Sequence, residues 1–194
     1  MTLKLLGVSG SLRDHSTGLH ALSFLLDAAQ EFGAQTRLLD LRQADLPMYN
    51  PDAKPDARVA RVQADVTWAE AFVLASPDYH GSMSGAMKNF LDYHWHEFSG
   101  KLFGYICASQ EKGLTVMEGM RTAVWNCYGW SLPYGVSLHG KHDLTVDGRI
   151  ENPALVSRLR MSARDIVTYG SLIHRQFRED LANKHPDTFA ARYV

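Results

Sequence analysis

The chain opens with a short apolar run, Leu3 to Val8, that stops abruptly at Ser9-Gly10-Ser11. A run this short, apolar on both sides of the pleat, reads as a strand buried on both faces, and such strands belong to parallel sheets covered by helices. From Thr17 to Phe32 the apolar residues Leu19, Leu22, Phe24, Leu25, Leu26 and Ala29 recur at helical spacing. Gly33 then stands where a helix terminates in the left-handed region. Strand, polar turn and helix are thus set out within the first 33 residues.

The same unit recurs along the chain. Gln35 to Leu41 reads as a second strand, and Asp45 to Pro55 as a loop, because Pro47, Pro51 and Pro55 exclude regular structure. Helices are expected at Ala57 to Glu70, Met83 to Phe98, Thr115 to Tyr128, and from Glu151 or Pro153 to about Leu181. Strands are expected at Ala71 to Ser76, Lys101 to Ser109 and, across Pro133, Ser131 to Leu138. Alternating strands and helices demand right-handed crossovers. The expected fold class is therefore α/β: a single flavodoxin-like domain over residues 1–194, a three-layer sandwich whose five-stranded parallel sheet runs 2-1-3-4-5. His185 to Val194 reads as a tail.

Composition narrows the partners. With 20 Lys and Arg against 21 Asp and Glu in 194 residues, there is no basic face for nucleic acid and no acidic excess for docking to a protein redox partner. A small neutral partner is expected. No segment approaches the ~18 uninterrupted apolar residues of a membrane span, and the first residues lack a charged stretch ahead of an apolar run, so a cytoplasmic protein is expected. Cys107 and Cys127 are too few for a disulfide framework and too far apart for a CxxC pair. His94-Trp95-His96-Glu97 and His139-Gly140-Lys141-His142 have spacings a metal could use, but no third or fourth ligand accompanies them, and no metal is expected.

In an open parallel sheet ligands bind beyond the carboxyl ends of the strands, where strand order reverses. Three loops are therefore of interest, after Val8, Ala75 and Ala108. The first, Gly10-Ser11-Leu12-Arg13-Asp14-His15-Ser16-Thr17, brings hydroxyls, backbone N–H groups and a guanidinium to a helix start, an arrangement suited to a monophosphate. It is neither a Walker loop nor GxGxxG. The alternative is that Ser16 or Thr17 caps the helix and Arg13 is a solvated charge. The second, Ser76-Pro77-Asp78-Tyr79-His80-Gly81-Ser82-Met83-Ser84-Gly85, can lay an aromatic ring and backbone donors against a planar heterocycle. Its alternative is a plain connection capped by Ser82 or Ser84, with Lys88 and Asp92 as an ordinary i,i+4 pair.

GSLRxxS after the first strand, together with SPDYHGSMSGAMKNFLDY after the third, resembles the NAD(P)H-dependent FMN reductase family, whose members include quinone, azo-dye and chromate reductases. The resemblance extends over about Leu3 to Leu181. It implies that Ser11, Arg13, Ser16 and Thr17 bind the phosphate of a non-covalent FMN, and that Pro77, Asp78, Tyr79, His80, Gly81 and Ser82 line its ring. Ser109 and Gln110 of the third loop would face the pyrimidine side, their backbone N–H groups stabilising charge on the reduced ring. Gly18 stands where the family often has asparagine, and His80 where it usually has asparagine in PEYNGS. His80 thus adds a titratable ring beside the flavin edge, and turnover is expected to carry a pH dependence that His80→Asn removes.

The implied activity is an FMN-dependent NAD(P)H oxidoreductase. It would pass two electrons by ping-pong hydride transfer to a quinone, flavin, azo compound or metal oxyanion, with the cofactor carrying the chemistry and no side chain assigned as catalytic. The alternative is an FMN-binding electron carrier that does not oxidise nicotinamide. Trp95, Trp125, Trp130, Phe90, Phe98 and Tyr93 are expected mainly in the core. In proteins similar to this one the helices bearing them form a dimer face beside the flavin, and a homodimer or homotetramer is expected.

Overall fold

The computed structural model describes residues 2–54, 56–145, 147–183 and 186–192. Pro55 of the expected loop, and His185, Tyr193 and Val194 of the expected tail, lie outside the described residues.

The strands are β1 (Lys4–Ser9), β2 (Gln35–Asp40), β3 (Ala71–Pro77), β4 (Leu102–Ala108), β5 (Trp130–Ser131) and β6 (Val136–Leu138). All pair in parallel, in the order β2-β1-β3-β4-β5, with β6 also alongside β4. The helices are α1 (Thr17–Glu31), α2 (Leu41–Ala44), α3 (Ala57–Trp68), α4 (Gly85–Asp92), α5 (Leu114–Asn126), α6 (Gly140–Asp143) and α7 (Pro153–Asn183).

Two apolar layers flank the sheet. On one face Leu22 and Leu25 of α1 and Leu159 and Ile166 of α7 cover Leu5, Val73 and Ile106. On the other, Val62 of α3, Phe90 of α4 and Met120 of α5 cover Leu6, Phe72, Leu74 and Phe103. The flavodoxin-like three-layer sandwich and its strand order are as the sequence implies. Because β1, β3 and β4 are covered on both sides, their apolar runs lack alternation.

Four details differ from expectation. The fifth strand is two pieces: Ser131 lies opposite Phe103 and Val136 opposite Ile106, so the stretch holding Pro133, which has no N–H to give, bows out of register. β2 ends at Asp40, whose carboxylate accepts from the Arg42 N–H at 3.0 Å and starts the short α2. The helix expected at Met83 to Phe98 spans only Gly85–Asp92. Tyr93 and His94 then close in tight turns onto Phe90 and Leu91, and the 3₁₀ turn His96–Phe98 drives Phe98 into the core against Phe72 and Phe103. The short α6 has no counterpart in the sequence reading.

Of the aromatic residues expected in the core, Phe90 and Phe98 are fully buried, but Trp95, Trp125 and Trp130 are 59, 72 and 50% exposed. The three tryptophans therefore correct that expectation.

Candidate functional site

The carboxyl ends of β1, β3 and β4 open onto one cleft of about 1170 Å³. Every residue assigned above to a cofactor lines it except Ser82. Ser82 instead pairs with Tyr79 through two backbone bonds of 3.0 and 3.2 Å, closing a two-residue turn in which His80 (φ 58°) and Gly81 (φ 77°) are both left-handed. That is the pattern of a type I′ hairpin turn, where Asn-Gly is the preferred pair because both residues tolerate positive φ. The asparagine usual at position 80 thus has a backbone explanation, and His80 fills a conformation that disfavours most side chains.

At the other end of the cleft, Ser16 is the N-cap of α1, its Oγ accepting from the Leu19 N–H at 3.1 Å. The capping alternative is therefore correct for Ser16, but it does not exclude anion binding, since the hydroxyl still has a proton to donate. From Asp14 through Gly18 no backbone N–H makes a hydrogen bond among the described residues. All five residues line the cleft. Unpaired donors at a helix start, where the helix dipole adds positive potential, have the chemistry that suits an anion. Arg13 makes no ion pair among the described residues, whereas Asp14 is engaged by Arg42. Gly18, the first departure from the family pattern, has room beside it: a Cβ there would meet only the Ala108 Cβ, at 3.9 Å.

The loops brace one another. Asp78 Oδ1 accepts from the Gly81 N–H at 2.8 Å, and its Oδ2 accepts from the Ser109 hydroxyl at 2.7 Å. The side chains of Asp78 and Ser109 are thereby spent on fixing the second loop to the third. The Ser109 N–H, expected to face a reduced ring, donates instead to Leu138 O at 3.0 Å. Of residues 78–82 and 109–110, only His80 and Gln110 keep an N–H without a bond among the described residues. Of the backbone donors expected to face a ring, those two are the ones without an internal bond among the described residues. Beneath the third loop, burial and, secondarily, Asp78 push the Cys107 thiol up to about 12, which keeps it protonated and inert.

The sequence reading missed a fourth wall. After β6, His139 and Gly140 also line the cleft, and a Cβ on Gly140 would lie 2.6 Å from Thr17 Cγ2, so this segment seats directly on the first turn of α1. The rule that ligands sit beyond strand ends reaches this loop as well as the other three. The His139 and His142 rings lie with centroids 4.3 Å apart and planes tilted by 44°. Lys88 and Asp92 form the expected i,i+4 pair, at 2.5 Å.

Comparison with known proteins follows the same motifs. A family model described as NADPH-dependent FMN reductase matches residues 3–143. The chain is 33% identical over 110 residues to an NADPH azoreductase of Bacillus sp. (strain OY1-2), covering 54% of this chain and 62% of that protein. It is 34% identical over 115 residues to an NAD(P)H-dependent FMN reductase of Pseudomonas aeruginosa, covering 55% of this chain and 60% of that protein. The chain thus spans about three fifths of the length of these curated relatives. Among solved structures, the apo form of an NADH:FMN oxidoreductase superimposes with a TM-score of 0.74 at 17% identity, over 87% of this chain and 90% of that one. FerB, an NAD(P)H:acceptor oxidoreductase from Paracoccus denitrificans, gives 0.74 at 19% identity, over 88% and 98%. At these identities the likeness is one of fold.

Proposed function

The chain belongs to the NADPH-dependent FMN reductase family, and on that premise we propose that it holds FMN non-covalently in the four-walled cleft, oxidises NADH or NADPH, and delivers two electrons to a small oxidised acceptor. Quinones, flavins, azo compounds and metal oxyanions are the acceptor classes. The observation that carries this reading is the run of N–H groups from Asp14 through Gly18 that, like the Arg13 guanidinium, have no partner among the described residues, in the cleft that the His80-Gly81 turn also lines.

The residues present fit FMN. Ser11, Arg13, Ser16 and Thr17 would hold its phosphate: the guanidinium offers a planar fork, and the hydroxyls and N–H groups supply donors where the α1 dipole is most positive. Pro77 to Gly81, with Gln110, would hold the ring, while Asp78 and Ser109 keep the second and third loops at a fixed separation. Ser82 would act by closing the hairpin turn. FMN bound there would supply two-electron redox chemistry between a reduced nicotinamide and an oxidised acceptor. The chain's own part is orientation and exclusion of water, and no cleft side chain is assigned as acid, base or nucleophile. The cleft's 1170 Å³ exceeds the roughly 300–1,000 Å³ of ordinary small-ligand pockets, which leaves room for a planar co-substrate beside the cofactor.

Trp95, Trp125 and Trp130 support a homodimer or homotetramer, since exposed tryptophans are enriched where proteins associate. Two free thiols suit the cytoplasm. No helix among the described residues is long and apolar enough to cross a membrane. Steady oxidation of NADH or NADPH in the presence of FMN and excess quinone tests the activity. Turnover is expected; FMN uptake without nicotinamide oxidation would replace the proposal with an electron carrier.

A further inference from the structure

A chain of buried serine bonds joins the first loop to the second. The Ser84 hydroxyl donates to Gly10 O at 2.6 Å and accepts from the Met87 N–H at 3.1 Å, so it caps α4 and grips the first loop at once. One step deeper, the Ser84 N–H donates to Ser76 Oγ at 2.9 Å, and the Ser76 hydroxyl donates to Pro77 O at 2.8 Å. Ser84 is 3% exposed and Ser76 1%. Gly10 is seated hard on this junction, since a Cβ there would fall 2.9 Å from Met87 Cβ and 3.0 Å from Ser84 Oγ. Every polar atom in the relay is satisfied, which is how a buried polar network imposes one geometry.

We propose that Ser84 is a positioning residue that fixes the separation between the phosphate-binding and ring-binding loops, and so selects a 5′-phosphorylated flavin over the same flavin without phosphate. The inference rests on the FMN reading above. A ligand that grips both loops gains full affinity only if their spacing is set before it arrives. A ligand that grips the ring loop alone is indifferent to that spacing. Ser84→Gly separates the two tasks of the hydroxyl. Glycine is an adequate N-cap, and its N–H still donates to Ser76, but the bond to Gly10 is lost.

The test is flavin binding to apoprotein, read by quenching of flavin fluorescence with FMN and with riboflavin. Ser84→Gly should weaken FMN about tenfold, equivalent to about 1.4 kcal/mol, while riboflavin changes less than about threefold. Ser84→Thr, which keeps the hydroxyl, should restore the preference. A loss of fold alone would lower both affinities together and would not be rescued selectively by threonine. Wild-type protein that prefers FMN, with the same preference in Ser84→Gly, overturns the positioning role while leaving the FMN site standing. Wild-type protein that binds neither flavin overturns both.

Discussion

His94 sits where α4 gives way to the 3₁₀ turn, with ring centroids 4.8 Å from Phe90 and 5.6 Å from Phe98, and neither imidazole nitrogen has a hydrogen-bond partner among the described residues. Burial pushes this imidazole down from 6.5 to about 4; Glu97 opposes the shift and Lys101 adds to it. The fold therefore holds His94 neutral, whereas the unfolded chain protonates it below about 6.5. Between pH 6.5 and pH 4 the unfolded state binds more protons, so stability falls as pH falls, and the contribution is fully present only above the unfolded value. A change from 6.5 to about 4, at about 1.4 kcal/mol for each tenfold change in proton affinity, is worth about 3 kcal/mol by pH 4. His94→Phe keeps an aromatic ring in the aromatic pocket and removes the titration. Carboxylates titrate in the same range, so the informative quantity is the difference between the two proteins. Urea unfolding at pH 7.5, 6, 5 and 4 should show His94→Phe gaining on the wild type by about 3 kcal/mol across the series. Parallel profiles would mean instead that the folded protein protonates His94 as readily as the unfolded chain does.

Two further substitutions probe the cleft. Asp78→Ala removes the carboxylate that joins the Gly81 N–H to the Ser109 hydroxyl, and should lower stability by about 1–2 kcal/mol and weaken FMN in fluorescence titration. Unchanged binding would show that the second and third loops need no brace. His80→Asn places the residue preferred in a type I′ turn at φ 58°, and should hold or raise the melting temperature. A fall equivalent to more than about 1 kcal/mol would contradict the turn assignment.

What the sequence disclosed and what it hid have separate physical causes. β1, β3 and β4 were legible because strands covered on both faces must be apolar throughout, and that signal is local. The boundaries of α4 were not, because its end depends on Phe98 reaching Phe72 and Phe103, a packing choice made by distant residues. The interrupted fifth strand was signalled by Pro133, although a continuous strand was expected through it. For the cleft, glycines, serines and an arginine at strand ends marked the place, and all twelve assigned positions but Ser82 line it. Their individual tasks were hidden. The bonds from Ser109 to Asp78 and from Ser84 to Gly10 span 31 and 74 positions, so no local pattern announces them. They decide which oxygen and which N–H remain for a ligand.

FMN binding in this cleft and its reduction by a nicotinamide are both read in the visible spectrum of the purified, FMN-loaded protein during anaerobic titration with NADPH and, separately, NADH. The expected result is a yellow protein whose flavin band bleaches with one equivalent of at least one nicotinamide and returns on adding quinone. A colourless protein that takes up no FMN, or a bound flavin that neither nicotinamide bleaches, would contradict it.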